Sequence, residues 1–421
     1  MSRKLKSNSR FDALLTKPPL YWIKLVTFFL LVGFVAYKAS IHAMANIAWQ
    51  QNPDLALRFM PDHPLALSLK ADIQFMDSQS PTSLNKVEAM AKQSLQVQPL
   101  NAVAVRLLGY VADARGDKKK ARELILLAQQ ISRRDFGTQL WLIEDAVARG
   151  EKTRALYHYD IAMRTTSSSH QILLPTLAGA LDDPEVRKAL VPYVRRRPNW
   201  LPGLLGISID TSQNPANLAD VLVPAGQLPD NEEYRRLSNN LLNQLAAKSK
   251  FPAFRQYYLS LPGTAGATFR SAALNNRTVN LRYPAAGWQL VDNPAIGGAL
   301  SAPNNDGQRS LSAFAGSGER GALMHKYIFL RPGKYRFSAG YEAQYSAPDS
   351  EIRWDLQCLS AMGNVSAWFA TTTVRKGRSA ATQDFTITPD CANQMLTLQL
   401  AGGSGQLGTE FVIRSIDIVH R

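Results

Sequence analysis

Three carboxylic acids lie close together in the chain, at Asp349, Glu351 and Asp355. A pair of such side chains is what glycoside hydrolysis needs. No further catalytic pattern accompanies them, since the sequence contains no H-E-x-x-H, G-x-S-x-G or Walker motif. We therefore interpret the three acids as solvated charges of a turn and a strand, and we expect no catalytic residues. An unrecognised hydrolase acting on polysaccharide is the alternative.

No cofactor and no metal are predicted. Gly316–Gly321 matches G-x-G-x-x-G, but a dinucleotide site needs this turn to open a helix. Residues 323–330 (LMHKYIFL) have the pattern of a strand instead, so the glycines are interpreted as a loop between strands. The six histidines are scattered, and two cysteines alone do not complete a zinc site.

The N-terminal residues favour a membrane anchor. A basic segment, 1–20, precedes an uncharged apolar run from Leu25 to Tyr37. Flanking residues extend this run to 21–44, with Lys24 and Lys38 able to reach the two interfaces. Ala43-Met44-Ala45 would fit a signal-peptide cleavage site, which is the alternative. The positive charges predict a cytoplasmic N-terminus, a single pass through a bacterial inner membrane and a periplasmic location for the rest.

Both cysteines, Cys358 and Cys391, fall in the exported part of the chain. In an oxidising compartment two cysteines predict one disulfide. A disulfide that closes the loop between these two cysteines would stabilise the fold by roughly 3–4 kcal/mol. Two unpaired, buried thiols are the alternative.

The formal net charge of +15 does not indicate a nucleic-acid-binding protein. Basic residues are spread along the 421-residue chain, and runs of consecutive basic residues, such as Arg195–Arg197, are at most three residues long. Without a concentrated basic face there is no surface suited to neutralising many phosphates. We therefore expect no nucleic-acid partner.

Residues recur at intervals of 34 between about 50 and 262. Such a period is that of a helix-turn-helix repeat. The recurring positions are Leu108 and Leu142; Gly116 and Gly150; Ala121, Ala155 and Ala189; Ala128 and Ala162. With Leu108-Gly109 and the break after Gly116, this pattern resembles the tetratricopeptide repeat. The resemblance implies an all-α solenoid over 50–262 that binds a protein partner.

Short alternating runs replace the helical pattern from about residue 263 onward. They are 277–282, 323–330, 335–341, 352–358, 384–387, 395–400 and 411–419. This spacing predicts an antiparallel β-sandwich over 263–421, a jelly roll of eight or more strands. The turn at Arg331-Pro332-Gly333 and the apolar alternation of the last strand resemble the galactose-binding-like sandwich of many carbohydrate-binding modules.

That resemblance implies a sugar site, in which an exposed aromatic ring faces the C–H side of a pyranose and polar groups bind its hydroxyls. The candidate ligand-binding residues are Trp288, Tyr341, Tyr345 and Trp368. Trp354 shares a strand face with Ile352 and Leu356, so we expect it in the core. The alternative for each candidate is packing inside the sandwich.

The layout is similar to that of Gram-negative proteins of exopolysaccharide loci, a likeness that also rests on Trp354 and the two cysteines. It implies a membrane-anchored periplasmic scaffold for polysaccharide assembly or export. The helices would bind a protein and the sandwich a glycan. A purely structural envelope scaffold and a polysaccharide-modifying hydrolase or lyase are the alternatives.

Overall fold

The chain forms two compact units, of which the first ends at Thr166 and the second begins at Ser167. A computed structural model describes residues 18–360, 363–404 and 406–421. Most of the predicted tail, 1–20, lies outside these ranges. The boundary predicted near residue 263 marks the change from helices to strands, which falls inside the second unit.

The first helix, α1 (Pro19–Ala48), has 30 residues and is apolar and long enough to cross a membrane. No other described helix meets both criteria. Helix α1 carries a mean hydropathy of 1.9 over its most apolar stretch, and that stretch is not covered by other parts of the chain. An anchor and a signal sequence both have these properties, so both interpretations fit this helix.

The remainder of the first unit is a series of helices, all but the last of which have a side-chain cap at the N-terminus. They are α2 (Pro53–Phe59), α3 (Pro64–Asp77), α4 (Pro81–Val97), α5 (Ala102–Ala114), α6 (Lys118–Ile131), α7 (Phe136–Ala148) and α8 (Lys152–Thr165). The side chains of Asn101 and Asp117 accept hydrogen bonds from the first turns of α5 and α6, which fixes where these helices begin. Helices α5 and α7 begin 34 residues apart, and so do α6 and α8.

The recurring small residues lie where paired helices approach one another. Gly116 and Gly150 adopt positive φ, 87° and 72°, in the turns that follow α5 and α7. A Cβ atom at Gly109 would come within 2.9 Å of Ile125 on α6, so only glycine allows this packing distance. The other repeat positions are buried at Ala121, Ala128, Leu142, Ala155 and Ala162, and half-buried at Leu108 and Ala189.

The second unit opens with further helices before the strands begin. They are α9 (His170–Ala180), α10 (Pro184–Arg195), α11 (Leu201–Thr211), α12 (Ala216–Ala225), α13 (Glu232–Ala247), α14 (Phe251–Ser260) and α15 (Asn276–Val279). A strand was predicted at 277–282, and this was wrong. Asn275 and Thr278 cap each other's backbone amides in a capping box, which starts the short helix α15.

Two five-stranded antiparallel sheets complete the second unit. The strands are β1 (Gln289–Leu290), β2 (Ile296–Leu300), β3 (Leu311–Ala315), β4 (Arg320–Ile328), β5 (Gly333–Ser346), β6 (Glu351–Ser360), β7 (Gly363–Thr373), β8 (Gly377–Ile387), β9 (Gln394–Ala401) and β10 (Thr409–His420). Sheet I has the order β1-β4-β9-β6-β7, and sheet II has the order β2-β3-β10-β5-β8. The predicted antiparallel sandwich is confirmed.

The core of the sandwich lies between the inner faces of the two sheets. Trp354 of sheet I and Phe337 of sheet II bring their ring centroids to 5.2 Å. Leu396, Leu398 and Leu400 alternate with polar residues along β9, as expected for a strand with one buried face. The expected core position of Trp354 is confirmed.

The predicted disulfide between Cys358 and Cys391 is present. It joins β6 to the connection between β8 and β9, with 5.1 Å between the two Cα atoms. The half-buried Cys358 packs against the core to which the buried Cys391 belongs. The bond therefore fixes β6 of sheet I to the segment that crosses from β8 of sheet II to β9 of sheet I.

Candidate functional site

Three of the four aromatic candidates are part of the sandwich core. Trp288, Tyr341 and Trp368 are only 5%, 3% and 8% exposed. Trp368 stacks on Phe385 at 5.2 Å, and the Trp288 indole donates a hydrogen bond to the carbonyl of Ala272. Their side chains are covered by protein, so the ring faces that a sugar would need are not available. These three residues therefore follow the alternative interpretation, in which the ring packs inside the sandwich.

Tyr345 is the fourth candidate and is 40% exposed. It lies near the end of β5 in sheet II, opposite Glu410 of β10. No exposed member of the candidate set accompanies it there. The structure therefore does not gather the four predicted residues into one site.

A different set of side chains comes together on the outer face of sheet I. One row runs across all five strands through Phe369, Asp355, Thr397, His325 and Gln289. A second row contains Thr371, Arg353 and Gln399. Ser366 and Gln357 lie opposite each other beside the first row. We refer to these ten residues as the sheet I outer face.

Phe369 is the exposed aromatic residue of this face, with 56% of its surface accessible. The guanidinium carbon of Arg353 lies 4.5 Å from the centroid of its ring. Such a contact contributes about 0.5–1 kcal/mol at an exposed site and limits the rotamers of both side chains. It therefore holds a cation and a partly exposed ring next to each other.

Asp355 is fixed beside this pair. Its two carboxylate oxygens accept hydrogen bonds from the Gln357 amide at 2.9 Å and from the Ser366 hydroxyl at 2.8 Å. A bulge at Leu356–Gln357 places Ser366 opposite Gln357. Asp355 is buried, and its partners on either side are more accessible. The carboxylate therefore positions an amide and a hydroxyl on the surface.

The β4 edge of the same face is more enclosed. Tyr327 lies beyond His325 on β4 and contacts Phe251 and Phe254 of α14, at centroid distances of 5.5 and 5.7 Å. Burial lowers the pKa of His325, so this imidazole favours its neutral form. The accessible part of the face is the stretch over β9, β6 and β7.

Phe369, Arg353 and Gln399 were not predicted as site residues, although one signal pointed to the first two. Alternation placed Trp354 in the core with Ile352 and Leu356, and packing inside the sandwich was the alternative for Trp368. If they face inward, then Arg353 and Phe369 must face outward, because successive side chains of a strand point to opposite faces. Their juxtaposition depends on the pairing register of β6 with β7, which includes a bulge.

A second concave surface lies in the first unit, on helices α3, α5 and α7. Its volume is about 340 Å³, and its lining includes Phe75, Met76, Tyr110, Leu140 and Trp141. Met76 is 78% exposed. The indole of Trp141 donates a hydrogen bond to Asp113. Asp113 and Glu144 both line the groove, which therefore combines apolar surface with two acidic groups.

No group of three or more His, Cys, Asp or Glu side chains within the described ranges is arranged to hold a metal ion.

No family model matches the chain, and no curated protein matches it. Among solved structures it is similar to TmCBM61 in complex with β-1,4-galactotriose, at 14% identity over 32% of this chain and 88% of that one, with a TM-score of 0.23. It is also similar to the CBM22-1 xylan-binding domain of Paenibacillus barcinonensis Xyn10C, at 8% identity over 36% and 93%, with a TM-score of 0.25. A CBM4 structure matches at 14% identity over 38% of this chain and 100% of that one, with a TM-score of 0.24. Similarity at this level assigns no ligand to the chain.

Proposed function

We propose that this protein is a membrane-anchored binding protein whose sandwich binds glycan on the sheet I outer face, in the assembly or export of a surface polysaccharide. The observation that carries the proposal is the exposed ring of Phe369 with the guanidinium of Arg353 beside it. A sugar presents an apolar C–H face and several hydroxyls. An aromatic ring flanked by fixed hydrogen-bonding groups complements both.

The polar groups around Phe369 suit neutral hydroxyls. Gln399, Gln357 and Ser366 offer amides and a hydroxyl, which can donate and accept hydrogen bonds. Neighbouring strands are about 4.8 Å apart, so the accessible stretch from β9 to β7 spans roughly 10 Å. This surface is an open sheet face, which suits part of a glycan chain better than an enclosed monosaccharide.

The compartment proposed for this activity is the periplasm. Helix α1 is long enough to cross a membrane, and basic residues precede it in the sequence. The disulfide between Cys358 and Cys391 is the kind of bond that persists in oxidising compartments. These features support an N-terminus in the cytoplasm and a periplasmic location for the part of the chain that follows α1.

The groove of the first unit is proposed to bind a protein partner. Exposed Met76 and the ring of Tyr110 supply apolar surface there, and methionine side chains adapt to varied partners. The 34-residue spacing of the helices supports the tetratricopeptide-like architecture that implied such a partner.

A binding role is favoured over hydrolysis by the positions of the acids. Glu351 and Asp355 lie four residues apart on one strand, so their Cα atoms are separated by roughly 13 Å. The carboxyl groups of glycosidases are about 5–9.5 Å apart. Glu351 also lies 3.4 Å from the guanidinium of Arg320, and Asp355 is held by Gln357 and Ser366. We therefore propose that the protein is not an enzyme.

The test is a glycan array probed with the full chain in a sugar-free, non-ionic detergent. We expect binding to at least one class of bacterial polysaccharide. The signal should fall at least tenfold in Arg353→Gln and persist in Arg336→Gln, which changes an arginine on the outer face of sheet II. Absence of any glycan signal would overturn the proposal. Release of reducing sugar, abolished in Glu351→Gln or Asp355→Asn, would establish the hydrolase instead.

A further inference from the structure

A pocket of the second unit lies where α14, the turn Gly266–Phe269 and the end of β4 meet, and none of its lining residues belongs to the sheet I outer face. Its volume is about 180 Å³. Three arginines line it, namely Arg255, Arg270 and Arg331. The rest of the lining is Leu259, Gly266, Phe269 and Phe329.

The charges of this pocket are not balanced by protein. None of the three guanidinium groups forms an ion pair with a carboxylate of a described residue. All three arginines are exposed at the surface. Like charges gathered around one cavity raise its positive potential and favour a bound anion.

The walls of the pocket are firmly connected to one another. The amide of Phe329 donates to the carbonyl of Phe269 at 2.8 Å, which joins the end of β4 to the turn. The hydroxyl of Tyr258 on α14 donates to Thr268 at 3.1 Å, and the ring of Tyr258 lies 4.7 Å from that of Phe269. Arg255 and Arg270 therefore project from segments that are held in place, so the ordering required on binding is confined to their side chains.

A buried lysine strengthens the same wall. The Lys326 ammonium donates to the carbonyls of Thr268 and Ser271, at 2.6 and 2.8 Å. These two residues flank Phe269 and Arg270. The segment that carries Arg270 is thus attached to β4 on both sides of that arginine.

We propose that this pocket binds a phosphate or pyrophosphate group. A guanidinium offers its N–H donors as a planar fork that matches phosphate oxygens. A phosphate has enough oxygens to accept hydrogen bonds from three guanidinium groups at once, whereas a carboxylate has only two oxygens. Phe269, Phe329 and Leu259 would contact the less polar part of the molecule that carries the anion. The group could come from a free phosphate compound or from a lipid headgroup.

The experiment is calorimetric titration of the full chain, in non-ionic detergent at 150 mM salt, with pyrophosphate. We expect saturable binding that weakens at least tenfold in Arg331→Gln and in Arg270→Gln. The Arg331→Lys variant should also bind pyrophosphate more weakly, because lysine keeps the positive charge but lacks the planar set of N–H donors. The matched control is Arg236→Gln, an exposed arginine of α13 outside the pocket, which should change the affinity less than twofold.

Two results would overturn the proposal. One is the absence of saturable pyrophosphate binding, and the other is an equal loss in Arg236→Gln and the pocket variants. Far-ultraviolet circular dichroism should show every variant folded. Repeating the titration in micelles containing phosphatidylglycerol or phosphatidylcholine identifies the source. Competition by phosphatidylglycerol alone supports a lipid headgroup, and unchanged affinity in both supports a free phosphate compound.

Discussion

Arg106 of the first unit and the pocket arginines of the second unit differ in whether a carboxylate neutralises them. In the first unit, Arg106 is buried and forms two hydrogen bonds with Asp72, at 2.9 and 2.8 Å. Its Nε atom lies 2.8 Å from a carboxylate oxygen of Asp135. In the second unit, Arg255 and Arg331 border a pocket and form no ion pair with a carboxylate of the residues that the structure describes. A compensated guanidinium holds helices together, whereas an uncompensated one is available to a ligand.

Two features of its surroundings allow Arg106 to be buried, namely the carboxylates beside it and a glycine that leaves room for its guanidinium. The flanking carboxylates raise its pKa, which keeps it charged although burial acts against the charge. A Cβ atom at Gly137 would come within 2.8 Å of the guanidinium, so glycine is required there. Asp72 and Arg106 are separated by 34 residues, so this ion pair joins successive repeats of the helical pattern.

The largest effect is expected from Arg106→Gln. It should reduce the free energy of unfolding of the first unit by about 3–5 kcal/mol, because two carboxylates lose their buried counter-charge. Urea unfolding followed by circular dichroism measures this. The control is Arg115→Gln, since Arg115 pairs with Glu88 at the surface and should contribute less than about 1 kcal/mol. Equal effects of both changes would remove the distinction between the two uses of arginine.

The second unit relies on a covalent link where the first relies on buried ion pairs. Replacing both Cys358 and Cys391 with alanine should destabilise the sandwich by about 3–4 kcal/mol, because the unfolded chain gains the freedom of an open loop. Thermal unfolding in the presence and absence of a reductant provides the measurement. A reductant should lower the melting temperature of the wild type and leave that of the double variant unchanged. No change in either protein would contradict this account.

Lys326 is a buried cation in the second unit, and burial lowers its pKa to about 7. The unfolded chain, with an ordinary value of 10.5, binds more protons between these two pH values. Wild-type stability should therefore rise with pH from 7 towards 10.5, by at most about 1.4 kcal/mol per unit. Below pH 7 both states carry the proton, so this contribution is constant.

The Lys326→Met variant should lack this increase of stability between pH 7 and pH 10.5. Urea unfolding at pH 7 and pH 9 tests it, with Lys334→Met as the control for an exposed lysine. If Lys326→Met and wild type gain the same stability between the two pH values, the ammonium is not the titrating group.

The smallest effect concerns the outer faces of the two sheets, each of which exposes one phenylalanine. Phe369 lies on sheet I, and Phe314, 46% exposed, lies on sheet II. Phe369→Ala should weaken glycan binding about tenfold, or about 1.4 kcal/mol, because the ring loses its contact with the sugar. Phe314→Ala should leave the affinity within a factor of two. Titration calorimetry with the strongest ligand of the array measures both, and matching losses would argue against a site on sheet I.

Much of the architecture could be predicted because it follows from local periodicity. The 34-residue spacing predicted the helix pairs, and alternation along residues 352–358 predicted β6 with Trp354 inside. The strand predicted at 277–282 failed because alternation alone does not detect a capping box formed by Asn275 and Thr278. The disulfide could be predicted because Cys358 and Cys391 are the only two cysteines in the sequence.

The sites depend on contacts that no local pattern encodes. Trp288, Tyr341 and Trp368 were predicted as ligand-binding because large aromatic rings serve both cores and sugar sites, and only their packing distinguishes the two. Phe369 meets Arg353 through the register of β6 and β7. The arginine pocket unites segments near 255, 270 and 331, which come together only in the folded unit.

The most direct test of the central claim is an experimental structure of the full chain bound to the strongest glycan of the array. The account predicts a sugar ring against Phe369, with Arg353 and Gln399 within hydrogen-bonding distance of its hydroxyls. A glycan bound elsewhere, with the sheet I outer face empty, would contradict it.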